Sequence, residues 1–308
     1  MNDTLPGLDA ATLDARPPLG ARLITADVYD GLRSLPPRSV DVVCTSPPYL
    51  GRRAYTDDPR EIGRGSMAEY LHDMVSLFSE LRRILRPTGV VWFNIFDVAV
   101  GSGGSGGDYA EGGSKHGQRK YRQGDMGMAD GQWASAPHRV IHRLQDNGWW
   151  LRSEVIWDKK QRRPEDLDHV RRPGESHEYL FMLTPRAPAG NPYRWFPDRL
   201  EEQGSVWHIT PGGGGTGHEA VFPEELVRRC ILSTTEPGDV VLDPFAGSGT
   251  SLAVAVSLGR SAVGVDFDPN NVARVQQRFA GLDVELEHET IAAADRQGQV
   301  SLLDQLAG

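Results

Sequence analysis

The chain has 308 residues, 39% apolar and 24% charged, with a formal net charge of −9. That length suits one large α/β domain or two modest ones, and no stretch nears the ~18 consecutive apolar residues of a membrane span. The opening MNDTLPGLDA lacks a basic-then-apolar leader, so a cytoplasmic protein is expected.

Net charge hides an asymmetry. From Lys115 to Arg172 there are 13 Lys+Arg against 8 Asp+Glu, a net of +5, so the remainder carries −14. A basic segment on an acidic body suits steering towards nucleic acid, although a solvated arginine-rich surface gives the same count. The two cysteines, Cys44 and Cys230, stand at no metal-type spacing and read as buried thiols.

In chain order, residues 1–20 read as a loose tail closed by Pro17, Pro18 and Gly20. Strand-like and helical segments then alternate, the pattern of a parallel sheet with helices on both faces. Seven strands are expected, at 22–26, 40–45, 90–95, 151–157, 178–183, 239–243 and 261–266. Helices are expected at 67–86, 137–147, 223–235, 250–258 and 269–280, most of them stopped by glycine or proline. The glycine-rich stretch 101–131 breaks the rhythm and reads as an arm that orders on a ligand, or as plain surface loop.

Two places carry chemistry. The first is VVCTSPPYL (42–50), where strand residues run straight into Ser46-Pro47-Pro48-Tyr49. The second is VVLDPFAGSGTSLAVAVSLG (240–259), a strand, a tight turn and a helix. Gly247 and Gly249 let that turn approach a ligand, and the helix start offers free amides. A P-loop needs Lys where Thr250 stands, and a dinucleotide fingerprint needs a third glycine where Leu252 stands. Asp243 ends the strand, and Asp266, 23 residues on, holds the place of an acid on a ribose diol. Phe267 follows it as a stacking surface for adenine.

DPFAGSGT together with TSPPY resembles the amino-group DNA methyltransferases, in the motif order of the permuted β class. ITADVYDGLRSLPPRSVDVVCTSPPY, WWLRSEVIWDKK, RRPGESHEYLFMLTP and HEAVFPEELVRRCI resemble further blocks of that family. The resemblance covers roughly residues 21–285 and implies a Rossmann-like, mostly parallel sheet with a small irregular DNA-recognition region. Residues 286–308 are left as a C-terminal extension. The cofactor implied is S-adenosylmethionine. Its contacts would come from Asp27, Thr45, Phe222, Pro223, Asp243, Pro244, Phe245, Gly247, Ser248, Gly249, Thr250, Asp266 and Phe267. One departure is Phe96-Asp97-Val98-Ala99, where relatives often carry a Gly-Asp-Ser-Tyr type sequence.

Chemically, an exocyclic amine is a poor nucleophile because its lone pair is delocalised into the ring. The Ser46 hydroxyl and the Pro47 carbonyl can accept its hydrogens, two prolines keep the loop stiff, and Tyr49 offers a face to the base. Stacking of that kind is worth about 1–3 kcal/mol per base, and the base must leave the duplex. A cytosine-5 enzyme would need a cysteine nucleophile in a Pro-Cys pair, which is absent. Serine at the first loop position points to cytosine N4 in the resembled family, with adenine N6 as the alternative. Ser46 could also donate to the neighbouring ring nitrogen of either base.

Lys159, Lys160, Arg162, Arg163, Arg171 and Arg172 are expected on DNA phosphates. Segments 101–131, 159–175 and 186–215 are candidates for base recognition, with Trp195 and Trp207 among the contacts. His177-Glu178 and His218-Glu219 lack a second His four residues on, so no metal site is expected. The expected partners are double-stranded DNA and a cognate restriction endonuclease, for a nucleoid-associated monomer or homodimer. Rival readings are an RNA or protein-glutamine methyltransferase, a nicotinamide oxidoreductase, and a non-catalytic nucleic-acid-binding protein keeping the fold.

Overall fold

The computed structural model describes residues 19–51, 61–100, 128–129, 131–160, 175–185, 193–211 and 222–292. Arg162, Arg163, Arg171 and Arg172 lie outside the described residues, as do most of the 101–131 stretch and both ends of 186–215.

Among the described residues nine strands form one sheet. They are β1 (Ala21–Thr25), β2 (Val40–Thr45), β3 (Leu85–Ile95), β4 (Trp149–Asp158), β5 (His177–Pro185), β6 (Val206–His208), β7 (Val240–Asp243), β8 (Ser261–Asp266) and β9 (Leu286–Thr290). Their order across the sheet is β6-β4-β5-β3-β2-β7-β8-β1-β9. All neighbours are parallel except at β5, which runs antiparallel to β3 and β4.

The α/β class and mostly parallel sheet match expectation, but the strand count is nine rather than seven. β6 and β9 are the additions. Val206 to His208 is too short to show a period. β9 alternates charged residues with no apolar run, because it is an edge strand held by its ladder on β1. The sheet thus runs five residues past the boundary expected at 285.

Among the described residues six α-helices cover the two faces: α1 (Val28–Arg33), α2 (Met67–Ile84), α3 (Ala136–Asp146), α4 (Glu224–Thr234), α5 (Thr250–Ser257) and α6 (Asn271–Phe279). α1 to α3 close one core over Ile24, Val43, Val91, Phe93 and Phe181. α4 to α6 close the other over Leu23, Val42, Trp92, Leu180 and Met182. α2 starts at a capping box, with Ser66 accepting from the Glu69 amide and Glu69 accepting from the Ser66 amide. It stops at Ile84, two residues short of expectation, because Pro87 disfavours helical geometry at Arg86 and Leu85 is already extended. The unexpected α1 is short and contains Gly31. A Cβ there would lie 2.5 Å from Cγ1 of Val265 on β8, so only glycine lets the helix sit this close.

At the centre of the sheet β2 pairs with β7 through only two registered positions, Val42 with Val241 and Val43 with Leu242. Carboxylates fasten this short ladder at both ends. At the amino edge, Asp41 on β2 accepts from the Val240 amide at 2.9 Å. Arg194 bridges Asp41 and Asp239 there, 2.8 Å from each. At the carboxyl edge, Asp243 on β7 accepts from the Thr45 hydroxyl at 2.7 Å. It also accepts from the Ser251 hydroxyl and the Phe245 amide. The sheet reverses its winding direction between these two strands, and ligands of open α/β sheets bind in the crevice such a reversal leaves.

Burial pushes the Asp243 carboxyl up to about 6, against hydrogen bonds from Ser251, Thr45 and Phe245 that pull it down. Its contribution to stability is therefore full below its ordinary value of 3.8 and lost as pH rises through about 6. The stability difference between wild type and Asp243→Asn should fall by about 3 kcal/mol across that window, read from denaturant midpoints at a series of pH values. Separately, Gly31→Ala gains about 1 kcal/mol of helix propensity but overpacks Val265 at a cost of about 1–3 kcal/mol. A lowered denaturant midpoint is the expected outcome.

Candidate functional site at the carboxyl edge of the sheet

Thr45 closes β2, and the chain leaves the sheet at Ser46. The loop that follows is held from three sides. Tyr70 on α2, itself buried, donates its hydroxyl to the Pro48 carbonyl at 3.2 Å. Gly63 passes under the Tyr49 carbonyl, where a Cβ would approach to 3.0 Å, and its φ of +91° is one that side-chain-bearing residues avoid. The Tyr49 hydroxyl lies 2.8 Å from the Ser46 hydroxyl, 3.0 Å from Asn94 Oδ1 and 2.9 Å from Glu178 Oε2. Asn94 keeps its carbonyl towards Tyr49 because its amide donates to the Tyr179 carbonyl. The Tyr49 ring tilts against Phe96, with centroids 6.4 Å apart.

Lys159 sits where β4 ends. Its ammonium contacts Glu178 Oε1 at 2.5 Å and lies 5.1 Å from the Phe96 ring and 5.2 Å from the Trp157 ring. Expected on phosphate, it is instead engaged beside the loop. Lys160 is exposed, its amide donating to Asp158 Oδ1. Asp97 accepts from the amides of Val98, Ser135 and Ala136, so at the point of departure from the family the residue fastens the start of α3.

The glycine-rich turn lies on the other side of the crevice. Asp243 spends its acceptors on Thr45, Ser251 and Phe245, so it shapes the turn more directly than it offers itself to a ligand. Asp266 accepts from Gly247 N at 2.6 Å through Oδ2, and from Asp268 N and Asn271 Nδ2 through Oδ1. Among the described residues Oδ2 takes that single donor and has capacity for a second, and burial raises this carboxyl above its usual range. Gly249 has φ +76° and no room for a Cβ, which would meet Val275 at 2.9 Å. Gly247, at φ +52°, is different: a Cβ there would meet only the Phe245 carbonyl, at 3.9 Å, so this backbone faces open space. Ser248 accepts from Arg278 through its carbonyl. Asp27, buried at the end of β1, accepts from the Tyr29 amide as the cap of α1. Pro223 caps α4 and Phe222 packs beneath it. An open glycine backbone beside an acid with a spare acceptor fits a ligand that brings a ribose hydroxyl.

The structure therefore gathers Thr45 to Tyr49, Asp243 to Thr250, and Asp266 at one edge of the sheet, linked by the Thr45–Asp243 bond. Trp207 is a correction. Expected near bases, it is fully buried on β6, its ring 5.7 Å from Trp92, because Val206 to His208 continue the sheet beside β4. Trp195 is partly exposed and tilts against the same Trp92.

Asn94 and Tyr70 were not singled out from the sequence, and Glu178 stood out only in the His177-Glu178 pair that lacks a metal-type spacing. A signal existed for two of them. Val90, Trp92 and Asn94 share one face of β3, and Glu178, Leu180 and Met182 share that face of β5. A polar residue at the end of an otherwise apolar face is the mark of a site.

Residues 40–277 match the family model described as DNA methylase (N6_N4_Mtase). The chain is 36% identical over 286 residues to the Type II methyltransferase M.Cfr9I of Citrobacter freundii, covering 86% of this chain and 89% of that protein. It is 32% identical to the Type II methyltransferase M.SmaI of Serratia marcescens over 269 residues, covering 84% and 90%. Among solved structures, the PvuII DNA methyltransferase (cytosine-N4-specific) shares the fold, with a TM-score of 0.65 at 19% identity over 88% of this chain and 92% of that one. The putative DNA modification methylase TTHA0409 of Thermus thermophilus, complexed with S-adenosyl-L-methionine, gives a TM-score of 0.62 at 25% identity, covering 89% and 100%. With the motif order, the crevice and the match over most of its length in agreement, the chain belongs to the N6/N4 DNA methylase family, as a β-class DNA methyltransferase that uses S-adenosylmethionine.

Proposed function

We propose that this chain methylates the exocyclic N4 of a flipped-out cytosine in double-stranded DNA, within a type II restriction–modification pair. The observation that carries the reading is Ser46. A neutral hydroxyl, rather than an aspartate, heads the Pro-Pro-Tyr loop, the choice that the resembled family favours for cytosine. The type II names of the relatives and the fold of the cytosine-N4-specific PvuII enzyme support it.

The cofactor, when bound, supplies an electrophilic methyl group on a sulfonium. Gly247, Gly249, Asp266 and Phe267 would hold it, with Asp27, Phe222 and Pro223 around them. Ser46 and the Pro47 carbonyl accept hydrogen bonds from the amine, drawing its lone pair out of conjugation and aiming it. Tyr49 is fixed at its hydroxyl end, so its ring is a pre-placed stacking face that spends no entropy on base capture. No covalent intermediate is needed.

Lys160, Arg162, Arg163, Arg171 and Arg172, which lie between β4 and β5 in the sequence, are assigned to phosphate contacts on the duplex. A cognate endonuclease of the same specificity is the expected genetic partner.

Incubation with S-adenosylmethionine and mixed-sequence duplex DNA, followed by nucleoside analysis, should yield N4-methylcytosine; N6-methyladenine as the product overturns the base assignment. Ser46→Ala should lower kcat by about 10²-fold or more while cofactor affinity stays unchanged. Neutralising Arg162 and Arg163 together should weaken DNA binding across sequences and reduce the slope of log K against log salt by about 1.8. An unchanged slope removes both from the phosphate contacts.

A further inference from the structure

The Tyr49 hydroxyl has one hydrogen to give, and three oxygens surround it. Two of these only accept. Glu178 Oε2 belongs to a carboxylate paired with the Lys159 ammonium, and Asn94 Oδ1 is a carbonyl oxygen whose amide partner is committed to Tyr179. If Tyr49 gave its hydrogen to Ser46, its lone pairs would face two acceptor oxygens at 2.9 and 3.0 Å with no hydrogen between. The favourable arrangement sends the Tyr49 hydrogen to Glu178, a charge-assisted bond, and the Ser46 hydrogen to the Tyr49 oxygen.

We propose that Glu178, held by Lys159, is a positioning residue that acts through Tyr49 to make Ser46 a pure acceptor towards the target amine. Directed chains of this kind polarise one another. With its hydrogen committed, Ser46 presents only lone pairs to the crevice, so an incoming N–H always meets an acceptor. Without that commitment the hydroxyl hydrogen could turn to the amine and set donor against donor, leaving the amine short of one bond. It follows that Ser46 does not donate to the ring nitrogen beside the amine, the second role its chemistry would otherwise allow. This inference rests on the reading that the Ser46 loop receives the amine, and it holds for cytosine or adenine alike.

The test compares Glu178→Gln, Tyr49→Phe and the double variant in steady-state methylation of duplex DNA, with Ser46→Ala as reference. Glutamine can donate to the Tyr49 oxygen and so releases the direction of the chain. Phenylalanine keeps the stacking ring and the Glu178–Lys159 pair but removes the acceptor for Ser46. Each single variant should lower kcat by about tenfold or more, with KM for DNA and for S-adenosylmethionine within about twofold of wild type. The double variant should be no slower than Tyr49→Phe alone, because Glu178 acts only through that hydroxyl. Wild-type kcat in either single variant, or losses that multiply in the double, overturns the inference. Where Glu178→Gln fails to fold, judged by S-adenosylmethionine binding, Tyr49→Phe carries the test by itself. If Ser46→Ala keeps full activity, the loop reading itself falls; if Ser46→Ala is inactive while the other variants match wild type, only the relay through Glu178 falls.

Discussion

The β2–β7 pairing is the constraint on which the molecule turns. Two registered positions make a weak ladder, and it joins the strand that leads into the Ser46–Tyr49 loop to the strand that leads into the glycine-rich turn. Asp41 and Asp243 fasten it at opposite edges, each reaching across to the other strand. The two fastenings differ in kind. Asp41 pairs with Arg194 and Arg86 at the amino edge, whereas Asp243 takes its bonds from hydroxyl and amide donors and lies in the crevice. Burying a carboxylate without a cation is costly. The return is a bond that sets the spacing of the Ser46 loop and the glycine-rich turn.

Rigidity is the common theme of the catalytic side. An enzyme that transfers a methyl group directly has no nucleophile of its own to activate, so its contribution is placement. Pro47 and Pro48 restrict the backbone, Tyr70 holds the Pro48 carbonyl, and Gly63 closes beneath Tyr49. Electrostatics divides in the same way between segments. The acidic body suits a cationic cofactor, while the basic stretch between 115 and 172 suits a polyanion.

The sequence announced the chemistry more clearly than the architecture. Gly247, Gly249 and the Ser46–Tyr49 loop are short-range patterns whose meaning lies in local backbone geometry, so they could be read directly. Asp243 was legible as a strand-tip acid, but not as a group whose acceptors are used internally, since Thr45 and Ser251 reach it only through the fold. β6 and β9 escaped notice because edge strands need no apolar face, and Trp207 was misplaced as a consequence. Glu178 was noticed only as part of a failed metal pattern. Its pairing with Tyr49 spans 129 residues, and no periodicity encodes a contact at that distance.

The reversed direction of β5 has a further consequence. Because β5 runs against β4, β4 ends and β5 begins at the same edge as the crevice, with Asp158 opposite His177. Lys159, just past the end of β4, pairs there with Glu178 at the start of β5. Their ion pair ties the two ends of the connection together. A segment carried between these two ends can change in length while its anchor points stay put, since each doubling of loop length costs only about 0.6 kcal/mol of closure entropy. Its length and composition can thus vary without moving Lys159, Glu178 or the Tyr49 hydroxyl that Glu178 holds.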